Sequence, residues 1–444
     1  MRGGSILRYI YKSSDARTQK MNVNIYVSFF LKGISILISF ILVPMTLSCL
    51  TPFEYGIWLT LSSILQWLDY FDIGLGNGLR NKLTEAIAHN DYTLGRKYVS
   101  STYFFLSIIV LISLVLFTIV NSFLDWNSIL NANNEVPHLK EIVLIIFALC
   151  CLNFVIKNVG IIYIAHQQPM VNNLISVVGQ LFALTFIFIL MHLTEGDLGK
   201  VAIAFSISPL LAYLGAYPYT FCYKYKSLSP SFSCIDVKCA RSLISLGVKF
   251  FFIQIACLLL FSTSNLIISR LFSPSEVTTY NIAFKYINVV QMIFVILQTP
   301  VWSAITDAYA RKEFDWIRLA INRQLKIWVG CLLGIVLLLL VNRFVIYLWI
   351  GDAVQVPLTL LVILSLYQVV LMFSMIFSSF SNGTGRLKSQ IISAIIQGIC
   401  YIPLALFLAR FLGVNGIALA LVIVTCIPAV VLYMDYKHFI KSKL

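Results

Sequence analysis

The sequence predicts an all-α polytopic membrane protein of about twelve transmembrane helices, arranged as two six-helix lobes that repeat in the same direction. Three observations carry this. Of the 444 residues, 59% are hydrophobic and 11% charged, with mean hydropathy +0.90; an ordinary soluble domain is about 25% charged. Apolar runs of about 20 residues, each long enough to cross the hydrocarbon core, recur along the whole chain. Several short motifs return after 217 or 222 residues. A barrel does not fit, because barrel strands alternate polarity in segments of about ten residues.

The elements follow in order. The segment 1–23 is basic, with Arg2, Arg8, Lys12, Arg17 and Lys20. The first span, 24–48, is too long for the apolar core of a signal peptide, and Met21 is an alternative start. Spans at 55–77, 98–121, 141–165, 170–193 and 198–222 complete an N-lobe, 24–222. A polar linker covers 223–243. Spans at 244–269, 278–303, 325–348, 357–379, 389–410 and 415–436 form a C-lobe, 244–436, followed by a tail, 437–444. Of the 32 basic residues, 23 fall in alternate segments that include both termini, 5 fall on the opposite side, and 4 lie inside spans. The positive-inside rule therefore places both termini in the cytoplasm. It also accounts for the net charge of +14, so the charge does not point to nucleic acid.

The repeat is read from four matches. Pro52-Phe53-Glu54 returns as Pro274-Ser275-Glu276, and Asp91-Tyr92 with Arg96 as Glu313-Phe314 with Arg318, both 222 residues on. Ile175-Ser176 with Gln180 returns as Ile392-Ser393 with Gln397, and Gly196 with Gly199 as Gly413 with Gly416, both 217 on. Six spans per half is an even number, so the halves run in the same direction, and substrate sites of such transporters lie between halves near the midplane.

Ionisable residues inside spans mark functional sites, because one lysine at the centre of a span costs about 2.5–3.5 kcal/mol on insertion scales. Lys32 lies on one helix face with Ser28, Ser35, Ser39 and Thr46, a stripe that suits water or other helices rather than lipid. Lys157 has Asn153 one turn away. Lys285 stands between Asn281 and Asn288, with Gln291 and Gln298 on an adjacent face. Lys249, about five residues into its span, can snorkel to the surface; its span also carries Gln254, Asn265 and Ser269, with Arg270 at the end. A cationic interior suits an anionic substrate, since desolvated Lys and Arg pair strongly with phosphate or carboxylate. Asp69 and Asp72 share one face. They either neutralise a neighbouring lysine or bind a cation or proton, which would couple transport to H+ or Na+. Gly74, Gly76 and Gly78 follow; with no preceding strand, close helix packing suits them better than a phosphate cradle. Arg80 stands at the cytoplasmic mouth and could meet phosphates.

Ten cysteines are scattered without recurring spacing, and five histidines are dispersed, which supports neither a disulfide framework nor a metal site. No expected loop exceeds about 20 residues. A membrane enzyme with catalytic groups in a large outer loop is therefore not expected, and neither catalytic residues nor a cofactor are assigned.

The stretch Tyr55-Gly56-Ile57-Trp58, then Asp72-Ile73-Gly74-Leu75-Gly76-Asn77-Gly78-Leu79-Arg80-Asn81, with the basic Gly95-Arg96-Lys97-Tyr98 before span three, resembles O-antigen flippases. These form the polysaccharide-export branch of the multidrug/oligosaccharidyl-lipid/polysaccharide exporter superfamily. The motif covers about 45 residues, and the twelve-span layout extends the likeness. The resemblance implies two six-helix lobes around a central cavity in a bacterial inner membrane. It implies alternating-access transfer of undecaprenyl-diphosphate-linked repeat units from the cytoplasmic to the periplasmic leaflet. Membrane lipids, a polysaccharide polymerase and a chain-length regulator are the partners expected beside that substrate. Lys32, Lys157, Lys249, Arg270 and Lys285, with Asn281 and Asn288, are cavity candidates by chemistry rather than by motif.

Two readings compete. A cation-coupled drug or metabolite antiporter of the same superfamily would place acids in the cavity, where Asp69/Asp72 is the only pair. A polysaccharide polymerase would need a large outer loop, and the first outer loop, about 48–55, holds only Glu54.

Overall fold

The computed structural model describes residues 16–65, 75–132, 136–193, 196–243, 263–386 and 388–443. In chain order the helices are α1 (Ala16–Cys49), α2 (Pro52–Leu65), α3 (Leu75–Ala88), α4 (Tyr92–Phe123), α5 (Trp126–Leu130), α6 (Leu139–Ile156), α7 (Asn158–Ala165), α8 (Pro169–Leu193) and α9 (Leu198–Pro218). They continue as α10 (Thr263–Leu271), α11 (Pro274–Ala310), α12 (Phe314–Leu340), α13 (Asn342–Ile350), α14 (Leu358–Thr384), α15 (Lys388–Leu412) and α16 (Val414–Lys443). Among the described residues ten helices are long and apolar enough to cross a membrane, and they fall on ten of the twelve expected spans. The other two, 55–77 and 244–269, run through 66–74 and 244–262, outside the described residues.

The chain forms two compact units. One comprises Met1–Leu50, Leu68–Asp125 and Pro137–Phe251; the other comprises Thr51–Trp67, Trp126–Val136 and Phe252–Leu444. Residues 51–65 and 126–132 thus pack with the C-terminal part of the chain, although each is flanked on both sides by segments of the first unit.

In the first unit, α3 falls where the sequence suggests only a polar segment. Leu75, Leu79 and Leu83 recur every four residues and are fully buried in a cluster with Val99, Ile162 and Tyr163. The other face carries Arg80, Lys82 and Glu85, so α3 is amphipathic. At its start, a Cβ on Gly78 would lie 2.6 Å from the Leu243 carbonyl oxygen; glycine is what lets the two backbones meet. Asp91 caps α4, its carboxylate accepting from the Leu94 N–H at 2.9 Å. Ile108, Leu111, Ile112, Val115, Leu116 and Ile119 form an exposed apolar stripe along α4, the surface expected of a helix in lipid.

In the second unit, α14 packs between α11 and α16, burying Met372, Ile376, Phe377 and Phe380 against Phe294, Leu432 and Phe439. Gly413, at φ 61°, is the single residue between α15 and α16, a left-handed position that glycine occupies without steric penalty. Helix α12 begins about eleven residues before the expected span, because its first turns carry Asp315, Arg318 and Arg323 and project beyond the apolar run.

The repeated motifs occupy matching places. Asp91 precedes α4 as Glu313 precedes α12, and Pro52 opens α2 as Pro274 opens α11. The last two helices cross near their first turns. A Cβ on Gly56 would overlap the Pro274 carbonyl, while Thr278 Oγ1 donates to the Pro52 carbonyl at 2.6 Å. Pro52 and Pro274, like Gly56 and Thr278, are 222 residues apart. The crossing is therefore self-complementary, each helix offering a small residue to the other's first carbonyl.

Candidate substrate-binding site

Helix α11 gathers the polar residues that the sequence singles out. Asn281, Lys285 and Asn288 follow at i, i+4 and i+7 along one face. All three are half-buried. Asn281 donates to Asn265 Oδ1 at 2.8 Å, and Asn265 donates to Ser63 Oγ at 2.8 Å. This chain of side chains ties α11 to α10 and α2. One turn beyond Lys285, Asn288 accepts from Gln368 Nε2 at 3.2 Å. Further along, Gln298 donates to Ser379 Oγ at 2.9 Å and to the Met375 carbonyl, and Gln291 approaches the Met375 sulfur at 3.7 Å. An ammonium is thus held in a row of amides inside a membrane-spanning helix, where every group must find a partner or an internal surface.

Gln368 is a residue that sequence reasoning missed. It is fully buried in α14, and its Oε1 makes no hydrogen bond among the described residues. The same holds for Ser365 Oγ, one turn earlier. A lone glutamine in the apolar run 358–384 has no periodic signal, and its partner Asn288 is 80 residues away. Asn265 and Ser269, grouped in the sequence as one polar face, are buried at helix contacts: Ser269 Oγ donates to the Leu130 carbonyl at 2.6 Å. Asn131, in the left-handed region at φ 54°, donates to the carbonyls of Ser269 at 3.1 Å and Phe272 at 3.0 Å.

The other candidates are dispersed. Arg270 is exposed at the end of α10. In the first unit, Lys32 is exposed on α1. In its stripe, the Ser39 and Thr46 hydroxyls return to their own backbone. Lys157 sits at the break between α6 and α7, half-buried, its ammonium 4.8 Å from the centre of the Phe154 ring. Arg80 is exposed on α3. Lys249, Asp69 and Asp72 lie outside the described residues. Among the described residues no group of three His, Cys, Asp or Glu could hold a metal ion.

Ten helices long and apolar enough to cross a membrane, among the described residues, describe a multi-pass membrane protein. Residues 22–306 match the polysaccharide biosynthesis protein family, and 250–407 also match the MatE family; the chain belongs to the polysaccharide biosynthesis protein family. An O-antigen export protein of Yersinia pseudotuberculosis is 24% identical over 383 residues, covering 82% of this chain and 84% of the relative. An O-antigen transporter of Salmonella typhimurium is 20% identical over 384 residues, covering 85% and 87%. Among solved structures, an inward-facing multidrug resistance MATE family transporter of the MOP superfamily superposes with TM-score 0.76 at 15% identity, covering 94% of this chain and 95% of that one. A MOP superfamily transporter from Pyrococcus furiosus superposes with TM-score 0.60 at 14% identity, covering 95% of each. The chain accordingly shares the fold of these solved transporters.

Proposed function

We propose that the protein flips undecaprenyl-diphosphate-linked O-antigen repeat units from the cytoplasmic to the periplasmic leaflet of a bacterial inner membrane, by alternating access between two six-span halves. The observation that carries this reading is Lys285, kept within a membrane-spanning helix between Asn281 and Asn288 in a chain similar to O-antigen exporters over four-fifths of its length. The ammonium would hold an anionic group, a phosphate or an acidic sugar, and the amides would meet sugar hydroxyls. Lys32, in the first unit, would serve an anion in the same way. Both termini would face the cytoplasm, and a polymerase and chain-length regulator would take the product. Coupling to H+ or Na+, if used, would run through Asp69 or Asp72; transport unchanged by ionophores would remove it.

The test is complementation of a strain lacking its own O-antigen flippase and supplied with the matching sugar pathway. Restored surface polysaccharide with clearance of lipid-linked intermediates is the expected result. Lys285→Ala and Lys32→Ala should each impair export while remaining in the membrane; wild-type export by both would remove them from the site. The MatE match over 250–407 favours a second reading, a cation-coupled antiporter. Failure to complement with the native sugars, together with cation-dependent drug efflux, would select it.

A further inference from the structure

The first unit contains a cleft that the reading above does not use. It has a volume of 360 Å³ and is walled by Tyr103, Phe104, Ser107, Ile156, Tyr217 and Phe232, a size within the about 300–1,000 Å³ of small-molecule sites. The rings meet edge to face, Tyr103 with Tyr217 at 6.0 Å and Phe104 with Phe232 at 6.4 Å. One wall belongs to the linker after α9, and that linker is fastened down. Arg96 Nε donates to the Ser229 carbonyl at 2.8 Å, the Ser231 N–H donates to Ser100 Oγ at 3.0 Å, and Ser101 Oγ bonds both backbone groups of Asp236. The linker wall of the slot is thus fixed by polar contacts, of which the Ser231–Ser100 bond lies in the lining itself.

Its position and charge select an occupant. Phe232 is 86% exposed, and an aromatic side chain bared at the basic end of a spanning helix belongs at the lipid–headgroup boundary. No charged side chain lines the slot, but cations flank it. Lys157 follows the lining residue Ile156, and Lys97 lies one turn before Ser100, 3.9 Å from Asp236. An apolar chain fits the slot, and a doubly charged head fits Lys157, since Lys97 is already paired with Asp236. We infer that this cleft receives the prenyl chain of a polyprenyl diphosphate from the inner leaflet, with the diphosphate toward Lys157. The inference rests on the flippase reading for its choice of lipid. It adds a docking site on the first unit separate from the amide row of α11.

The test uses the full-length protein in nanodiscs of phosphatidylethanolamine and phosphatidylglycerol, with a photoreactive polyprenyl diphosphate as probe. Labelling should map to the peptides around 100–107 and 229–236, and unlabelled polyprenyl diphosphate should compete where added phosphatidylglycerol does not. Ser107→Trp, at an exposed position that fills the slot, should lower labelling about tenfold, the loss of roughly two buried methylenes. Phe232→Ala, also exposed, should lower it less. Labelling elsewhere, equal competition by phosphatidylglycerol, or a Ser107→Trp protein that labels and exports like the wild type would overturn the site. Labelling that follows this pattern in a protein that does not complement would instead count against the flippase reading and leave the lipid site standing.

Discussion

The α2–α11 crossing makes a sharp prediction. At Gly56 the first atom of any side chain overlaps the Pro274 carbonyl, and a backbone atom cannot turn aside. Gly56→Leu must therefore push the helices apart until the contact relaxes to an ordinary 3.4–4 Å. Overpacking of this kind costs about 1–3 kcal/mol. The separation also strands the Thr278–Pro52 hydrogen bond, about 0.5–1.5 kcal/mol more. Together they weaken the crossing by roughly 1.5–4.5 kcal/mol, a factor of about ten to about two thousand in the closed population. The readout is cross-linking between Ser63→Cys and Asn265→Cys, whose parent atoms are 2.8 Å apart, in a background without the native cysteines. Gly56→Leu should abolish the cross-link and export while the protein still inserts. Gly56→Ala should produce most of the effect, because the overlap begins at Cβ. Unchanged cross-linking in both variants would refute the close approach.

Three further outcomes are expected. Gly78→Ile should destabilise the first unit by about 1–3 kcal/mol, since its Cβ meets the Leu243 carbonyl; thermal unfolding in detergent measures it, and an unshifted midpoint contradicts the packing. Asp91→Ala should lower the midpoint and Asp91→Asn restore only part of it. The hydrogen bond from the Leu94 N–H, then that from Thr93, holds the Asp91 carboxyl below its ordinary 3.8, so its contribution is present above that value and disappears as pH falls through the lowered one; a wild-type/Ala difference that persists in strong acid would deny the charge any part. Gln368→Leu removes a 3.2 Å hydrogen bond but also a buried acceptor with no partner among the described residues, so stability should change by less than about 1 kcal/mol. A much larger loss would mean that Oε1 is satisfied by something else.

The spans were legible because each is a long apolar run with basic residues gathered at alternate ends, a signal that needs no knowledge of contacts. The helices that open at Pro52, Tyr92 and Pro274 begin a few residues before the expected spans, because the apolar run does not reach the proline or the Asp91 cap that starts them. The beginning of α12 was hidden, because Arg318 and Arg323 read as loop when hydropathy alone is followed. Of the candidate site, the row Asn281, Lys285 and Asn288 was visible as a period on one helix. Its partners were not: Ser63 is 202 residues from Asn265 and Gln368 80 from Asn288, and nothing local in the sequence pairs them. The packing of 52–65 with the C-terminal part follows from Gly56 and Thr278, two small residues unremarkable until the helices that bear them are brought together.

That packing has a consequence for biosynthesis. Helix α2 leaves the ribosome 222 residues ahead of the Pro274 turn on which it rests. At about 5–20 residues per second this is a wait of roughly 11–44 s. Throughout that interval the face bearing Gly56 and Thr60 is in the bilayer without its partner. A chain released early therefore carries an unmatched helix, and a quality-control protease that recognises unpaired small-residue faces would distinguish it from the finished transporter.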